Sequence, residues 1–580
     1  MTCERTHDWS RRRFLEGLAA GGVLAGAAAL VPGWARAARK PAVGVKGAAG
    51  ELTIAAHRAG VTGKPRTAIL ADGSLPGPLL RWREGDEVAL RVHNRLDEVT
   101  SIHWHGILLP ANMDGVPGLS FAGIPPGGSY LYQFRVRQSG TYWYHAHSGF
   151  QEQLGLYGPL VIDPLEPEPF AYDREHVVML SDWTDRDPHA LYKLLKKQSH
   201  YFNFNGPTLA DLVARSRDQG FAAALRERLE WARMRMSPAD LADVSGYASG
   251  YTFLMNGLTP ADNWTGIFRP GERVRLRFIN GSAMTYFDVR IPGLEMTVVA
   301  ADGQNVHPVT VDEFRLGAAE TLDVIVRPAG ADAFTIFAQS MDRSGYARGT
   351  LAVREGLDAP VPEPDRIVFL SMADIGHAHS NGDARASGGA HAAHHSAPAG
   401  APARDAPGSH PPSERRNPAV DMQAGSPAAR LDDPGVGLRD NGRRVLTYAS
   451  LRTLAPDPDG REPGRTIELH LTGHMARYLW SFDGVPFSRA EPLALRYGER
   501  VRIVLVNDTM MEHPIHLHGM WSDVEDEAGA FHLRKHTVSM PPGTRRAYRV
   551  TADALGRWAY HCHLLYHMEA GMFREVRVDV

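Results

Sequence analysis

The sequence predicts an all-β protein built from three repeated domains. Short runs in which apolar and polar residues alternate, such as EVALRVHN from Glu87, are bounded by Gly, Pro and Asp, a pattern typical of strands separated by turns. Three segments are also alike: EGDEVALRVHNR from Glu84, PGERVRLRFING from Pro270 and YGERVRIVLVND from Tyr497. Each pattern predicts a turn followed by a strand, so we expect the three segments to occupy equivalent positions in three copies of one β-domain.

The N-terminal segment has the features of an export signal. SRRRFLEG, from Ser10, precedes a Gly/Ala-rich apolar run, and Ala35-Arg36-Ala37 forms a small-x-small cleavage signature. The run is shorter than the roughly 20 apolar residues of a spanning helix and is weakened by Gly, which disfavours a membrane anchor. The segment resembles a twin-arginine signal. We therefore expect residues 1–37 to be removed and the mature protein, with no membrane span, to be periplasmic.

The charge balance and the cysteine content argue against nucleic-acid binding and against an internal disulfide. Cleavage after Ala37 would leave 58 basic and 63 acidic residues, a mild negative balance that lacks the basic face a nucleic-acid-binding protein needs. It would also remove Cys3, leaving Cys562 as the single cysteine of the mature chain. One cysteine cannot form an internal disulfide, so Cys562 is expected to be a buried thiol, a reactive thiol or a metal ligand.

Histidine pairs recur at matching places in the first and third repeats. The positions 18 and 20 residues after Gly85 and after Gly498 are both His-x-His, and the position 20 residues after Pro125 and after Pro541 begins a second such pair. The same count from Gly271 reaches no histidine, but Val289 and Ile291. The middle domain is thus predicted to keep the architecture and lack the ligands. The eight paired histidines are His103, His105, His145, His147, His516, His518, His561 and His563.

The pair HCH, at residues 561–563, points to two metal sites back to back. Successive side chains of a strand face opposite ways, so His561 and His563 share one side and Cys562 takes the other. His513, His567 and Met572 are available to complete a site around the sulfur. Two imidazoles, a thiolate and a weak thioether are typical of a blue-copper electron-transfer site, whereas structural zinc prefers four strong ligands.

Four segments together resemble the multicopper oxidases: HWHG from His103, HAH from His145, HPIHLHG from His513 and HCHLLYHMEAGM from His561. That family has three cupredoxin-like Greek-key β-barrel domains. Further stretches, which with the signal are similar to the bacterial periplasmic copper resistance protein A branch, are FQEQLGLYGPLVIDP, YFNFNGPTLAD and YTFLMNG.

We expect the three domains to span residues 46–165, 172–358 and 364–580. The second should carry a helical insertion at about 207–245, where the apolar spacing is helical. The third should carry a disordered insertion at about 376–431, which is rich in Gly, Ala, Ser, Pro and His and poor in large apolar groups.

The resemblance implies four copper ions and dioxygen as the electron acceptor, reduced to water. Type 1 copper would be held by His513, Cys562, His567 and Met572, and type 2 copper by His103 and His516. One type 3 ion would take His105, His145 and His563, and the other His147, His518 and His561. Electrons would pass through Cys562 to its flanking histidines. Asp114 is a candidate proton donor, while Tyr566 stands where related cuprous oxidases have an acid.

Cuprous ion is our first hypothesis for the electron donor, because thioethers suit Cu(I) and carboxylates its oxidised product. Such groups surround the type 1 motif in sequence: Met510, Met511, Glu512, Met520, Asp523, Met568 and Glu569. The His-rich insertion could recruit copper, and other periplasmic copper-handling proteins are possible partners. Two alternatives stay open: a laccase-like oxidase of small phenolic reductants, and a periplasmic copper-sequestering protein.

Overall fold

The computed structural model describes residues 45–247, 250–377 and 410–580. The predicted signal peptide and most of the predicted His-rich insertion, residues 378–409, lie outside the described residues. Among the residues that are described, no helix is both long and apolar enough to cross a membrane. The protein has the predicted fold class, three cupredoxin-like β-domains with few helices.

The first domain is formed by two sheets. Their orders are β3-β2-β5-β7 and β1-β4-β9-β8-β6. In β5 every second residue is buried, as the alternation of its sequence predicts. The strands are β1 Val45–Lys46, β2 Ala49–Ala59, β3 Arg66–Ala71, β4 Leu80–Arg83, β5 Glu87–Asn94, β6 His103–His105, β7 Ser129–Arg135, β8 Gly140–His145 and β9 Tyr157–Asp163.

The second domain has a six-stranded and a five-stranded sheet, in the orders β11-β10-β13-β18-β15-β16 and β12-β20-β19-β14-β17. Its strands are β10 Arg174–Trp183, β11 Thr252–Met255, β12 Trp264–Ile267, β13 Val274–Asn280, β14 Phe287–Arg290, β15 Met296–Ala301, β16 Gln304–Val311, β17 Glu313–Leu316, β18 Thr321–Val326, β19 Ala333–Ser340 and β20 Tyr346–Ala352.

The third domain repeats that topology strand for strand, with sheets β22-β21-β24-β29-β26-β27 and β23-β31-β30-β25-β28. The repeat recognised in the sequence is therefore a structural one. The strands are β21 Arg465–His474, β22 Leu479–Phe482, β23 Leu493–Arg496, β24 Arg500–Asn507, β25 His513–Leu517, β26 Ser522–Glu525, β27 Phe531–Lys535, β28 Thr537–Met540, β29 Arg545–Thr551, β30 Gly556–Cys562 and β31 Phe573–Asp579.

The pairing of the strands shows that counting 18 residues from Gly271 misplaces the equivalent of His516 in the middle domain by one residue. When β14 and β25 are aligned through their pairing with β17 and β28, His516 corresponds to Arg290 and not to Val289. The loop after β13 is one residue longer than the loop after β24, which a fixed count misses. Arg290 lies 4.8 Å from the centre of the Phe337 ring and pairs with Glu313 over 3.2 Å. The middle domain thus has a cation at this place in the sheet.

The described residues contain four α-helices: α1 Pro188–Lys197, α2 Leu209–Gln219, α3 Phe221–Met234 and α4 Leu565–Glu569. Helices α2 and α3 lie in the predicted helical insertion, and α1 is an additional helix before it. Helix α2 begins with a capping box in which Thr208 and Asp211 satisfy each other's backbone N–H groups. The short α4 carries His567.

The prediction of disorder is wrong for residues 410–431. Met422, Ala424 and Leu431 of this stretch are buried, and the backbone N–H of Arg545 in β29 donates to the carbonyl of Ala428 over 2.9 Å. The composition is poor in apolar groups, but the stretch does not need a core of its own. Met422 joins the existing hydrophobic core, and burial of Leu431 adds to the gain that offsets the entropy of ordering.

Candidate metal centre

Two pairs of neighbouring strands position the eight paired histidines, five of them on the strands and three, His147, His518 and His563, within two residues of a strand end. In the first domain β6 and β8 are antiparallel neighbours with His103 opposite His145. In the third domain β25 and β30 are related in the same way, with His516 opposite His561. Because residues two apart on a strand face the same side, each strand pair directs its imidazoles to one place. The first and third domains bring these two places together.

Three contacts between imidazole nitrogens mark the centre of the cluster. The Nε2 atom of His561 lies 3.3 Å from Nε2 of His147 and 3.0 Å from Nε2 of His518. On the other side, Nε2 of His563 lies 3.4 Å from Nε2 of His145. The contacts of His561 thus join the three histidines predicted for one type 3 ion. The contact between His145 and His563 joins two of the three histidines predicted for the other type 3 ion.

The remaining three histidines fill the space between those groups. The rings of His103 and His518 stack with centroids 3.9 Å apart, and those of His105 and His516 with centroids 3.8 Å apart. His105 also lies 4.9 Å from His563, the third predicted partner of its ion. All eight predicted histidines thus belong to one interdomain cluster.

Several nitrogens of the cluster are buried without a hydrogen-bond partner among the described residues. They are Nε2 of His103, both nitrogens of His105, Nε2 of His516 and Nδ1 of His563. A buried nitrogen with neither a hydrogen bond nor a metal is unfavourable, and several facing one space fit a set of metal ions. The residues present therefore fit the copper that the sequence predicts.

Burial also sets the protonation of these imidazoles. It lowers the pKa of His105, His145, His516 and His518 well below the ordinary value, and neighbouring histidines lower it further. The pKa of His561 falls to about 4 for the same reason, although a hydrogen bond to the Cys562 carbonyl opposes the effect. The neutral imidazole, which is the metal-binding form, therefore prevails at neutral pH.

Asp114 holds two of the histidines. It is almost completely buried, and its Oδ2 accepts a hydrogen bond from Nδ1 of His518 over 2.8 Å. Its backbone carbonyl accepts from Nδ1 of His103 over 2.7 Å. Contacts of this kind fix the tautomer and the orientation of a metal-ligating imidazole. The structure thus places this predicted residue directly against the cluster.

Two residues of the cluster escaped the sequence analysis. Oε2 of the buried Glu152 lies 2.6 Å from Nδ1 of His145, and burial raises the pKa of this carboxyl well above its usual range. The buried His536 accepts a hydrogen bond at its backbone carbonyl from Nδ1 of His516 over 2.6 Å, and its ring lies 4.7 Å from that of His105. Glu152 stands in the FQEQ stretch of the family resemblance, whereas no sequence signal singles out His536.

Cys562 faces away from this cluster, as the alternation of β30 predicts. Its Sγ lies 3.4 Å from Nδ1 of His513 and 3.7 Å from Nδ1 of His567, and the two Nδ1 atoms are 3.1 Å apart. Met572 is fully buried beside them, with its backbone carbonyl accepting from the N–H of Cys562 over 3.1 Å. The structure therefore brings the three strong ligands predicted for a type 1 site together, and the segment carrying the fourth lies alongside.

The outer nitrogens of both imidazoles are held by other groups. Nε2 of His513 contacts the hydroxyl of Thr509 at 2.8 Å, and Nε2 of His567 lies 2.6 Å from Oδ2 of Asp243. The Trp480 ring covers His567 with a centroid distance of 4.1 Å. Asp243 comes from the second domain, after α3, and nothing in the local sequence marks it. These contacts leave Nδ1 of each ring directed at the sulfur.

Most of the soft and acidic residues proposed to meet cuprous ion are part of the core. Met510, Met511 and Met520 are buried. Glu512 pairs with Arg315 over 3.1 Å, and Asp523 with Arg534 over 3.1 Å, so neither is a free surface carboxylate. Of that group, Met568 is half-buried and Glu569 is exposed, both on α4 beside His567. Only the two residues on α4 therefore stay accessible to an ion, and whether they meet Cu(I) remains a prediction.

Comparison with known proteins identifies the class. Three consecutive stretches, residues 53–167, 174–356 and 460–580, match family models described as multicopper oxidase. Three cupredoxin-like domains, with a thiol between two imidazoles next to an interdomain histidine cluster, fit the same class. The chain belongs to the multicopper oxidase family and is an oxidoreductase whose metal is copper.

Within that family, the chain is similar to the copper resistance proteins A. It is 63% identical over 594 residues to the copper resistance protein A homolog of Pseudomonas syringae pv. tomato, covering 98% of this chain and 99% of that relative. It is 60% identical over 606 residues to the copper resistance protein A of Escherichia coli, with the same coverage.

Solved structures agree with the fold. The multicopper oxidase Fet3p, which functions in iron import, aligns with a TM-score of 0.64 at 18% identity, covering 92% of this chain and 91% of that one. The laccase of Botrytis aclada aligns with a TM-score of 0.61 at 20% identity, covering 94% and 90%.

Proposed function

We propose that this protein is a periplasmic cuprous oxidase of copper resistance, exported by the twin-arginine pathway. It would couple one-electron oxidation of Cu(I) to the four-electron reduction of O2 to water. The observation that carries the proposal is the position of Cys562. Its sulfur lies beside His513 and His567, while the histidines on either side of it lie in the interdomain cluster. The names of the similar copper resistance proteins support a role in copper resistance.

The twelve predicted ligands would hold four copper ions in the type 1, type 2 and type 3 sets described above. Bound copper would supply the one-electron steps at the first site and the reduction of O2 at the other three. The chain's own contribution is geometric. Buried carboxylates and carbonyls fix the outer nitrogens of the imidazoles, and burial of seven of the eight histidines, all except the partly buried His147, limits the access of water.

Proton supply is assigned to the two buried carboxyls at the cluster. Asp114 contacts His518, and Glu152 contacts His145, so each could hold a proton beside the place where O2 is reduced. Tyr566, at the position where related enzymes have an acid, does not replace them. Burial raises the pKa of its hydroxyl well above the ordinary value, and it lies 3.4 Å from the hydroxyl of Tyr251.

The surroundings of His567 favour a small donor over a bulky phenol. His567 is fully buried, with Trp480 over its ring and Asp243 at its outer nitrogen. An aromatic substrate therefore has no direct contact with the imidazole. On α4, Glu569 is exposed and the neighbouring Met568 is half-buried, so the pair would offer a carboxylate and a thioether to a copper ion.

The deciding experiment is oxygen uptake by the copper-loaded protein, with Cu(I) and a phenol compared side by side. Continuous uptake with Cu(I) as the only reductant, at one O2 for every four Cu(I), is the expected result. Turnover with the phenol alone would make the protein a laccase-like oxidase. Binding of copper without any turnover would make it a sequestering protein.

A further inference from the structure

A second group of metal-binding side chains lies in the third domain, apart from the twelve predicted copper ligands. It consists of His410, Glu414, His470 and Asp508. His410 and Glu414 belong to the stretch that sequence analysis wrongly treated as disordered. His470 lies on β21, and Asp508 follows β24 directly, so the two neighbouring strands form the floor of the group.

The distances within the group suit one ion. Nδ1 of His410 lies 3.1 Å from Oε2 of Glu414 and 3.1 Å from Oδ2 of Asp508. Nδ1 of His470 lies 2.6 Å from Oδ2 of Asp508 and 3.7 Å from Oε1 of Glu414. Ligands about 2.1 Å from a tetrahedral ion are about 3.4 Å from one another. Shifts of less than about 1 Å would therefore complete such a site.

Burial separates this group from an ordinary surface cluster. The side chains of Glu414 and Asp508 are inaccessible and that of His470 is 2% exposed, whereas His410 is 18% exposed and provides the edge open to solvent. Oε1 of Glu414 is buried without a hydrogen-bond partner among the described residues. The same oxygen lies 3.7 Å from Nδ1 of His470, which is too long for a hydrogen bond, so a bound cation would supply the partner that this buried oxygen lacks.

No permanent cation meets that need within the described part of the chain. The ion pairs of Glu414 and Asp508 are with His410 and His470 alone, and neither carboxylate pairs with Lys or Arg. A bound divalent ion would supply the positive charge that these two buried carboxylates lack.

We propose that His410, Glu414, His470 and Asp508 bind one divalent late transition-metal ion, with Cu(II) bound more tightly than Zn(II), in addition to the catalytic coppers. Two imidazole nitrogens and two carboxylate oxygens, with no sulfur, suit Cu(II) and not Cu(I). The stability order of divalent ions places Cu(II) above Zn(II) at such ligands. The site would take copper in its oxidised form, and its occupancy does not depend on turnover.

The test is metal titration of the full-length protein already loaded with its catalytic copper. Cu(II) and, separately, Zn(II) are added, and bound metal is counted after desalting and followed by calorimetry. The variants are Glu414→Gln and His470→Gln, and the matched control is His57→Gln, which removes an exposed histidine in the first domain. Retention of the blue absorption band shows that each variant is folded.

We expect both variants to lose one tightly bound divalent ion, or to bind it at least about 100-fold more weakly, while the control matches the wild type. Equal stoichiometry and affinity in all four proteins would overturn the proposal. So would a lowered thermal midpoint in the metal-free variants with an unchanged titration, since the group would then be an ion-pair network only. If the buried substitutions abolish the blue band, His410→Gln at the open edge decides by the same titration.

Discussion

Asp243 of the second domain and His567 of the third are joined by a 2.6 Å contact between a carboxylate oxygen and Nε2 of the imidazole. The same oxygen accepts a hydrogen bond from the hydroxyl of Tyr478 over 2.9 Å. Both partners of the contact are buried. The second domain has no histidine pair of its own, yet it orients a ligand of the predicted type 1 site.

Replacing Asp243 by Asn should alter that site without unfolding the domain. Loss of the negative charge favours the reduced metal, so we expect a higher reduction potential and a turnover about 10-fold lower. Redox titration of the blue band and steady-state oxygen uptake measure the two effects. Asp240→Asn, three residues away and paired with His200 over 3.0 Å, is the control. An unchanged potential in Asp243→Asn would show that the contact does not tune the site.

Replacing Asp114 by Asn should slow oxygen reduction and leave the blue band in place. The carboxylate contacts His518 and His103, which face the interdomain cluster and lie away from Cys562. We expect turnover to fall about 10- to 100-fold, since such partners affect both ligand orientation and proton supply. Rapid reduction of the blue band by Cu(I), followed by slow reoxidation by O2, would locate the defect. The exposed Asp97→Asn is the control. Slow reduction with fast reoxidation would contradict the assignment.

Replacing Cys562 by Ser should abolish the blue absorption and the oxidase activity together. A hydroxyl is a poor replacement for a thiolate ligand, and the proposed electron transfer to His561 and His563 begins at this sulfur. The eight histidines of the cluster are untouched, so the copper content should fall by one ion only. Elemental analysis and electron paramagnetic resonance separate these outcomes. Oxidase activity in the colourless variant would place electron entry elsewhere.

Replacing Leu431 by Ala tests whether residues 410–431 belong to the core of the third domain. Leu431 is buried, and removing three carbons from a packed site costs about 2–5 kcal/mol. The control is Leu454→Ala, at a side chain that is 41% exposed, where a change below about 0.5 kcal/mol is expected. Denaturant unfolding of the copper-loaded proteins measures both. Equal stability of the two variants would restore the prediction of disorder for this stretch.

Local spacing was enough to predict which histidines lie together and that Cys562 lies on the opposite side of its strand. Strand geometry turns His561 and His563 to one side and Cys562 to the other, wherever the strand lies in the molecule. The repeat likewise predicted that strands of the first and third domains would carry matching histidines. A fixed count failed only in the middle domain, where one extra loop residue shifts the register from Val289 to Arg290.

The sequence by itself therefore determined which residues share one side of a strand and which residues occupy matching positions in two repeats. The tertiary structure decided the contacts between distant segments: Asp243 on His567, Glu152 on His145, and His410 beside Asp508. It also decided that Met510, Met511 and Met520 serve the core. The physical reason is that alternation along a strand is a property of the local backbone, whereas burial and pairing across hundreds of residues depend on how whole domains pack.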